Sequence, residues 1–337
     1  MKKRILSIVS VLCLMAMIFA LTSCQNDTNT EGDHDGHSHD DSSKIVYHTI
    51  TFNSNGGSHV DSIKIQHGHY VDQLETPVYN NHVFLHWNYQ GSEWLYDYKA
   101  VKEDMNLTAV WVAADALFGV APFGDGIEIT SIKRQEEFKI LLVPSIINGK
   151  TVTKIGNKAF ESKAENYAKN IVFPESVTEI GTEAFKDVSS MNLTFKGKIT
   201  SIGESAFENC SSLASITLAP GMKSIPFSAF ASCSALQFAQ IPNGVETIEE
   251  NAYEKCSSLK MVILPKSVTT IEHSAFLDCS SLTSVFYEGT EEEFDKIDID
   301  QRNEDILDAK IYFYSEVEPT TQGNFWCYNE NNSPVLW

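Results

Sequence analysis

From about residue 150 onward, apolar positions recur with a period that neither a helix nor a single strand has. The unit is Ile202-Gly203-x-x-Ala206-Phe207-x-x-Cys210-x-x-Leu213-x-x-Ile216-x-Leu218-x-Pro220. Its Ala-aromatic pair returns at Ala159-Phe160, Ala184-Phe185, Ala206-Phe207, Ala229-Phe230, Ala252-Tyr253 and Ala275-Phe276, the last four pairs in steps of 23 residues. Cysteine keeps the same step at Cys210, Cys233, Cys256 and Cys279. A fixed period of this size predicts a solenoid, whose units bury their apolar faces only against their neighbours. In each unit, a pair such as Ile216 and Leu218 alternates inward as a strand requires. Leu213 enters the core from the preceding turn, and Pro220 ends the ladder by lacking an N–H. Pro144, Pro174, Pro242 and Pro265 do the same elsewhere. A second stretch, such as Ser224-Ile225, leads into Ala229-Phe230, where Phe fills the core and Ala lets coils approach. Six such strands make a stack of roughly 25–30 Å.

The same alternation identifies the outward positions. One column is Asn170, Asn192, Ser215, Phe238, Met261 and Ser284; its neighbour is Val172, Thr194, Thr217, Gln240, Ile263 and Phe286. The late coils therefore bring Phe238, Met261, Ile263 and Phe286 together on the outside. Contiguous exposed apolar residues mark partner contacts. Cover by the chain's own tail and simple β-propensity remain open as readings. The cysteine column is expected inside as free thiols, donating weak S–H bonds to turn carbonyls, because side chains stacked in parallel rarely reach disulfide geometry. Thr290 with Glu293 forms a capping-box pattern for a short helix over the last coil. A final strand is expected at Ala309–Tyr314, and the aromatic tail (Phe325, Trp326, Tyr328, Trp337) is expected to fold back on this cap with Cys327 unpaired.

Residues 45–112 have a different texture. Val46–Phe52 alternates as a strand, Asn53-Ser54-Asn55-Gly56-Gly57 carries turn chemistry, and a second strand follows at Ser62–Gln66. Then come Pro77, Phe84-Leu85-His86-Trp87 and a closing Leu107-Thr108-Ala109-Val110-Trp111. This segment resembles an internalin-type B repeat, with His86 where that family usually has glycine. The resemblance implies a small β-grasp-like module used on bacterial surface proteins as a spacer or interaction domain. Residues 115–315, opened by Gly124-Asp125-Gly126, resemble BspA-like leucine-rich repeats, with Lys163 and Val188 in the places that cysteine holds later. The implied fold is mainly β: a β-grasp-like module followed by a leucine-rich-repeat solenoid with parallel strands, a C-terminal cap and an aromatic tail at 316–337. The implied function is adhesion to a host or neighbouring cell.

The N-terminus adds an address. Lys2, Lys3 and Arg4 precede an apolar run from Ile5 to Leu21, and Leu21-Thr22-Ser23-Cys24 resembles a bacterial lipoprotein signal. That resemblance implies a signal peptide at 1–23, lipid attachment at Cys24, and anchoring to the outer face of the bacterial cell membrane or cell surface. Residues 24–44 read as a flexible tether. Within it, His34, His37 and His39 stand among aspartates, a composition that can bind zinc or copper, and His67 and His69 could join such a site. A soluble spacer is the plainer reading, with no cofactor expected and zinc as the alternative. Formal charge is −20, and subtracting the three positive charges of Lys2, Lys3 and Arg4 takes it to about −23, which argues against nucleic acid as a partner. No Gly-x-Ser-x-Gly, P-loop, Rossmann glycines or zincin helix occurs, so the chain reads as a non-enzyme. The expected function is a surface scaffold that binds an extracellular or host protein or a glycan; the alternative is a metal-binding lipoprotein using the histidine-rich tether.

Overall fold

The computed structural model describes residues 45–71, 74–94, 99–133, 140–161, 170–190, 192–320 and 322–337. The first unit is a five-stranded mixed sheet of β1 (Tyr47–Asn53), β2 (Ile63–Gln66), β3 (His82–Tyr89), β4 (Ser92–Glu93) and β5 (Met105–Ala113), in the order β2-β1-β5-β3-β4. β1 and β5 run parallel, and the other pairs are antiparallel. Alternation sends Ile50, Trp87, Leu107 and Ala109 into one core. The two glycines of the Asn55-Gly56-Gly57 turn have separate reasons. Gly56 adopts φ +99°, and a Cβ on Gly57 would lie 2.5 Å from the Trp111 ring. Trp111 is held there by its indole N–H, which donates to Ser54 O at 2.9 Å.

The β3–β5 register shifts between Phe84 and His86, leaving Leu85 as a bulge. Leu85 packs on the solenoid core, as do the buried Val83 and Val112. The short helix Ala114–Leu117 follows β5 directly, and Ala114 N–H donates to Asn81 O. Asn81 N–H in turn donates to Ile146 O of the solenoid. The module is thus packed against the solenoid's first coil.

The solenoid has two strand files. One file is Leu141–Leu142, Asn170–Phe173 and Asn192–Phe195, then Phe238–Gln240, Met261–Leu264, Ser284–Tyr287 and Lys310–Tyr314. Strands at Gly126–Ile132 and Lys150–Ile155, then two-residue strands at Glu179–Ile180, Ser201–Ile202, Ser224–Ile225, Thr247–Ile248, Thr270–Ile271 and Asp298–Ile299, make the second file. All pairs between successive coils are parallel.

One expected strand is missing. Ala214–Leu218 makes only an isolated bridge, Ile199 to Leu218. Across this coil the spacing of paired residues changes from 22 in Asn170–Asn192 to 23 in Phe238–Met261. Its one bridge, Ile199 to Leu218, joins residues 19 positions apart, so the coil meets its predecessor out of step. Ile199 N–H donates to Thr217 O, Ala219 N–H donates to Ile199 O, and Ile216 and Leu218 stay only partly buried.

Between the files the coils are tied through the Ala-aromatic pair. The rings of Phe160, Phe185, Phe207, Phe230, Tyr253 and Phe276 stack at centroid spacings of 5.2–5.5 Å. The file runs unbroken past the irregular coil, with Phe207 and Phe230 only 4° from parallel. Each aromatic N–H donates to the alanine carbonyl of the next coil, as Phe207 to Ala229 and Phe230 to Ala252, both at 2.9 Å. The aromatic carbonyl takes the cysteine of the next coil: Cys210 Sγ donates to Phe185 O, Cys233 to Phe207 O, Cys256 to Phe230 O and Cys279 to Tyr253 O, at 3.0–3.2 Å. The 23-residue step of cysteine thus supplies a small buried donor for one particular carbonyl per coil. The four thiols are free, and burial pushes Cys210 and Cys256 up to about 12. Because the thiolate is the reactive form, iodoacetamide at pH 8 should label Cys327, which is partly exposed, and leave the column untouched until the chain is denatured without reductant. Labelling of all five in the native protein, or of none of the four after denaturation, would contradict this arrangement.

The turn beside each ring uses left-handed backbone twice per coil. Ser205, Ser228, Asn251 and Ser274 stand before alanine, and Asn209, Ser232, Lys255 and Asp278 before cysteine, all with φ of 51–60°. Small polar residues tolerate this region better than branched ones, which accounts for the recurring Ser and Asn.

The last coil is closed by side chains. Asn303, 1% exposed, takes the place of the missing alanine. Its Oδ1 accepts from Phe276 N–H at 3.0 Å, and its Nδ2 donates to Glu272 O and Asp300 O. The capping box at Thr290 and Glu293 is formed. The tail differs from expectation: Lys310–Tyr314 is not the final strand. Phe325–Tyr328 continues the sheet in parallel, and Pro334–Leu336 turns back antiparallel along it.

Candidate binding face

In the coils that pair as strands, register places the two outward columns where alternation put them; Ser215 and Thr217 lie in the coil without a regular strand. Phe238 pairs with Met261, then Ser284 and Lys310; Gln240 pairs with Ile263, then Phe286 and Tyr312. The intervening Ala239, Val262 and Val285 face the solenoid core. In the early coils the same columns are polar except at Val172, and Asn192 Nδ2 donates to Asn170 Oδ1 at 3.0 Å.

The four apolar residues are together but not equally available. Ile263 and Phe286 are 2% and 0% exposed, covered with Trp326 in a second, outer core. This corrects the expectation that both are exposed. The reason is the tail: Trp326 reaches across the Lys310–Tyr314 strand, sets its ring edge against Phe286 at 5.4 Å, and donates its indole N–H to Tyr287 O at 3.0 Å. Phe238 and Met261 lie at the far margin of this cluster, partly buried, with Gln240 exposed beside them. Tyr312, Tyr314, Tyr328 and Leu336 extend the face on the tail side. Burial first, then the hydrogen bond from its hydroxyl to Glu288 Oε1, raises the Tyr328 phenol well above the usual range.

The tyrosines and Trp326 were the part of this face not assigned from sequence, although Lys310-Ile311-Tyr312-Phe313-Tyr314 and Phe325-Trp326-Cys327-Tyr328 alternate like the earlier strands. Cys24, His34, His37 and His39 lie outside the described residues. Among the described residues, no group of three or more His, Cys, Asp or Glu side chains is placed to hold a metal ion.

Comparison with known proteins agrees with this architecture. The model of the BspA type leucine rich repeat region matches in six copies over residues 130–260 and 183–298, together half of the chain. The Listeria-Bacteroides repeat domain matches residues 48–110. No curated protein matches the chain. Among solved structures, a T. pallidum leucine rich repeat protein is 28% identical over 50% of this chain and 78% of its own, with a TM-score of 0.46. A leucine rich cell surface protein from Faecalibacterium prausnitzii is 28% identical over 52% of this chain and 39% of its own, with a TM-score of 0.37. The repeat matches span the coils whose aromatic and cysteine files are described above: the chain belongs to the BspA type leucine-rich repeat family, with a Listeria-Bacteroides repeat domain ahead of its solenoid.

Proposed function

We propose that this chain is a surface-anchored binding scaffold that presents the outer face of its late coils to an extracellular or host protein or a glycan. The observation that carries this reading is the uneven outer face. Its early half is polar apart from Val172, and its late half bears Phe238, Met261 and a run of tyrosines outside the solenoid core. A solenoid needs no apolar residues on that face for its own stacking, and large half-buried side chains with polar neighbours are the usual material of contact sites. Family membership supports the same reading, since the solved F. prausnitzii relative is described as a cell surface protein. Lipid attachment at Cys24 and a tether over residues 24–44 would hold the folded part clear of the membrane, with the N-terminal module as spacer. Partner contact is assigned to Phe238 and Met261, with Ile263 and Phe286 supporting them from beneath the tail. The motifs of hydrolases, nucleotide enzymes and zincins are absent from the sequence, so the reading involves no catalysis.

The test is binding of the chain from residue 45 onward to arrays of extracellular-matrix proteins and glycans. The paired variant Phe238→Ser/Met261→Ser should lose at least tenfold in affinity for any captured ligand, about 1.4 kcal/mol, with unchanged circular dichroism. A ligand held equally well by this variant would remove the face from the account.

A further inference from the structure

A pair of histidines in the N-terminal module, His48 and His67, is hydrogen-bonded at the rim of the sheet, apart from the binding face. His48 lies on β1 and His67 just beyond β2. His48 pairs with Ile65, so His67 is its diagonal neighbour on the same side of the sheet, within reach of long side chains. His48 Nε2 and His67 Nδ1 are 2.8 Å apart. Asp104 Oδ1 stands 3.7 Å from the other nitrogen of His48 and is itself fixed by accepting Thr49 N–H at 2.7 Å. The turn carrying His67 is clamped on both sides: His67 N–H donates to Val46 O, Gly68 N–H to Val101 O, and Val101 N–H to His69 O. The His48 side chain is 15% exposed while His67 is open to solvent, so the paired nitrogens sit at the rim of the module.

We infer that His48 and His67 together bind one borderline divalent transition ion, such as Cu²⁺ or Zn²⁺, with His48 oriented by Asp104. Imidazole suits these metals, and a carboxylate hydrogen-bonded to the non-ligating nitrogen is the common supporting arrangement for a ligand histidine. At 3.7 Å Asp104 Oδ1 is beyond hydrogen-bond distance of His48 Nδ1 and closes on it only as the ring turns toward the ion. Two nitrogens on one ion at 2.0–2.1 Å stand about 3.4 Å apart if it is tetrahedral and about 2.9 Å if it is square-planar, so their separation changes little. The rings now face each other along a 2.8 Å hydrogen bond with centroids 5.1 Å apart, and each must swing by about 35–45° to aim its nitrogen at a shared ion. With Nδ1–H of His48 toward Asp104, its Nε2 offers a lone pair. His67 moves its proton from Nδ1 to Nε2 and offers Nδ1, so two neutral rings bind the ion with no net proton release. The remaining coordination positions fall to water or to a donor brought by a ligand. The chain's formal charge of −20 raises the local cation concentration.

The experiment uses the whole chain with His34→Ser, His37→Ser and His39→Ser as background, so that the tether contributes nothing. Titration with Cu²⁺ is expected to show one ion per chain, and electron paramagnetic resonance should show hyperfine coupling to two nitrogens. Asp104→Asn should lower the affinity by about 10–100-fold. His67→Ala or His67→Gln, at an exposed turn position that leaves the fold intact, should lower it further and remove one nitrogen from the spectrum. His273→Ala, far along the solenoid, should change nothing. Equal Cu²⁺ uptake by the background chain and its His67 variants, or a spectrum with one nitrogen or none, would overturn the assignment.

Discussion

Phe230→Ala is expected to lower the stability of the folded chain by about 3–5 kcal/mol, while Phe227→Ala, three residues earlier in the same coil, should change it by no more than about 0.5 kcal/mol. Both are phenylalanines of one repeat, and their surroundings differ. Phe230 is fully buried and stacks on Phe207 at 5.5 Å and Tyr253 at 5.2 Å, whereas Phe227 is 40% exposed. Removing the Phe230 ring leaves a cavity that neither neighbour can fill, because each ring is fixed by its own backbone bond to the next coil. The loss falls on two coil interfaces at once, which is where a repeat array keeps its stability. Urea titration of the two variants measures the difference as a shift in midpoint. Equal midpoints would mean that the aromatic file does not hold the coils together.

The second large effect is expected at the far end. Trp326→Ala should destabilise the C-terminal coils by about 3–5 kcal/mol. The ring is fully buried, its N–H is bonded to Tyr287 O, and it lies against Phe286. Its removal opens Phe286 and Ile263 to water and frees Tyr287 O. Because each coil depends on its neighbours, the disturbance should fade along the array: hydrogen exchange should quicken in Met261–Leu264 and Ser284–Tyr287 and stay unchanged in Asn170–Phe173. Binding of an apolar dye should rise. A variant that unfolds as a whole, or one with unaltered exchange at Ser284–Tyr287, would show that the tail is not a local cover.

Most of the fold was legible in the sequence because a repeat states the same physical requirement several times. Ala-aromatic spacing marked the ring file, and alternation about Ile263 or Val285 assigned the inner and outer columns. The capping box at Thr290 and Glu293 was also readable, since it needs only local partners. Three things were not readable, each for a reason of context. The missing strand at Ala214–Leu218 leaves no mark on the alternation, since Ile216 and Leu218 alternate as in the coils that do pair, and the out-of-step bridge to Ile199 shows only in the folded chain. The burial of Ile263 and Phe286 depends on Trp326, roughly forty to sixty positions away in the chain, and alternation within a coil carries no information about that contact. Asn303 ends the inter-coil ladder by offering an amide oxygen where a backbone carbonyl is missing, and a lone Asn after Gln301-Arg302 has no local signature. The candidate site was therefore half legible: its position on the late coils could be read and cover by the tail stood as one open reading, but which residues the tail covers could not be read.

The coils are held to one another chiefly through the turn bearing the Ala-aromatic pair, and native-state hydrogen exchange tests this most directly. The amides of Phe185, Phe207, Phe230 and Tyr253, each bonded to the alanine carbonyl of the following coil, are expected to exchange last, at rates approaching those of global unfolding. The amides of Ile216 and Leu218, in the coil without a regular strand, are expected to exchange much sooner. Aromatic amides that exchange as fast as those of the irregular coil would contradict a solenoid fastened by neighbour-to-neighbour stacking.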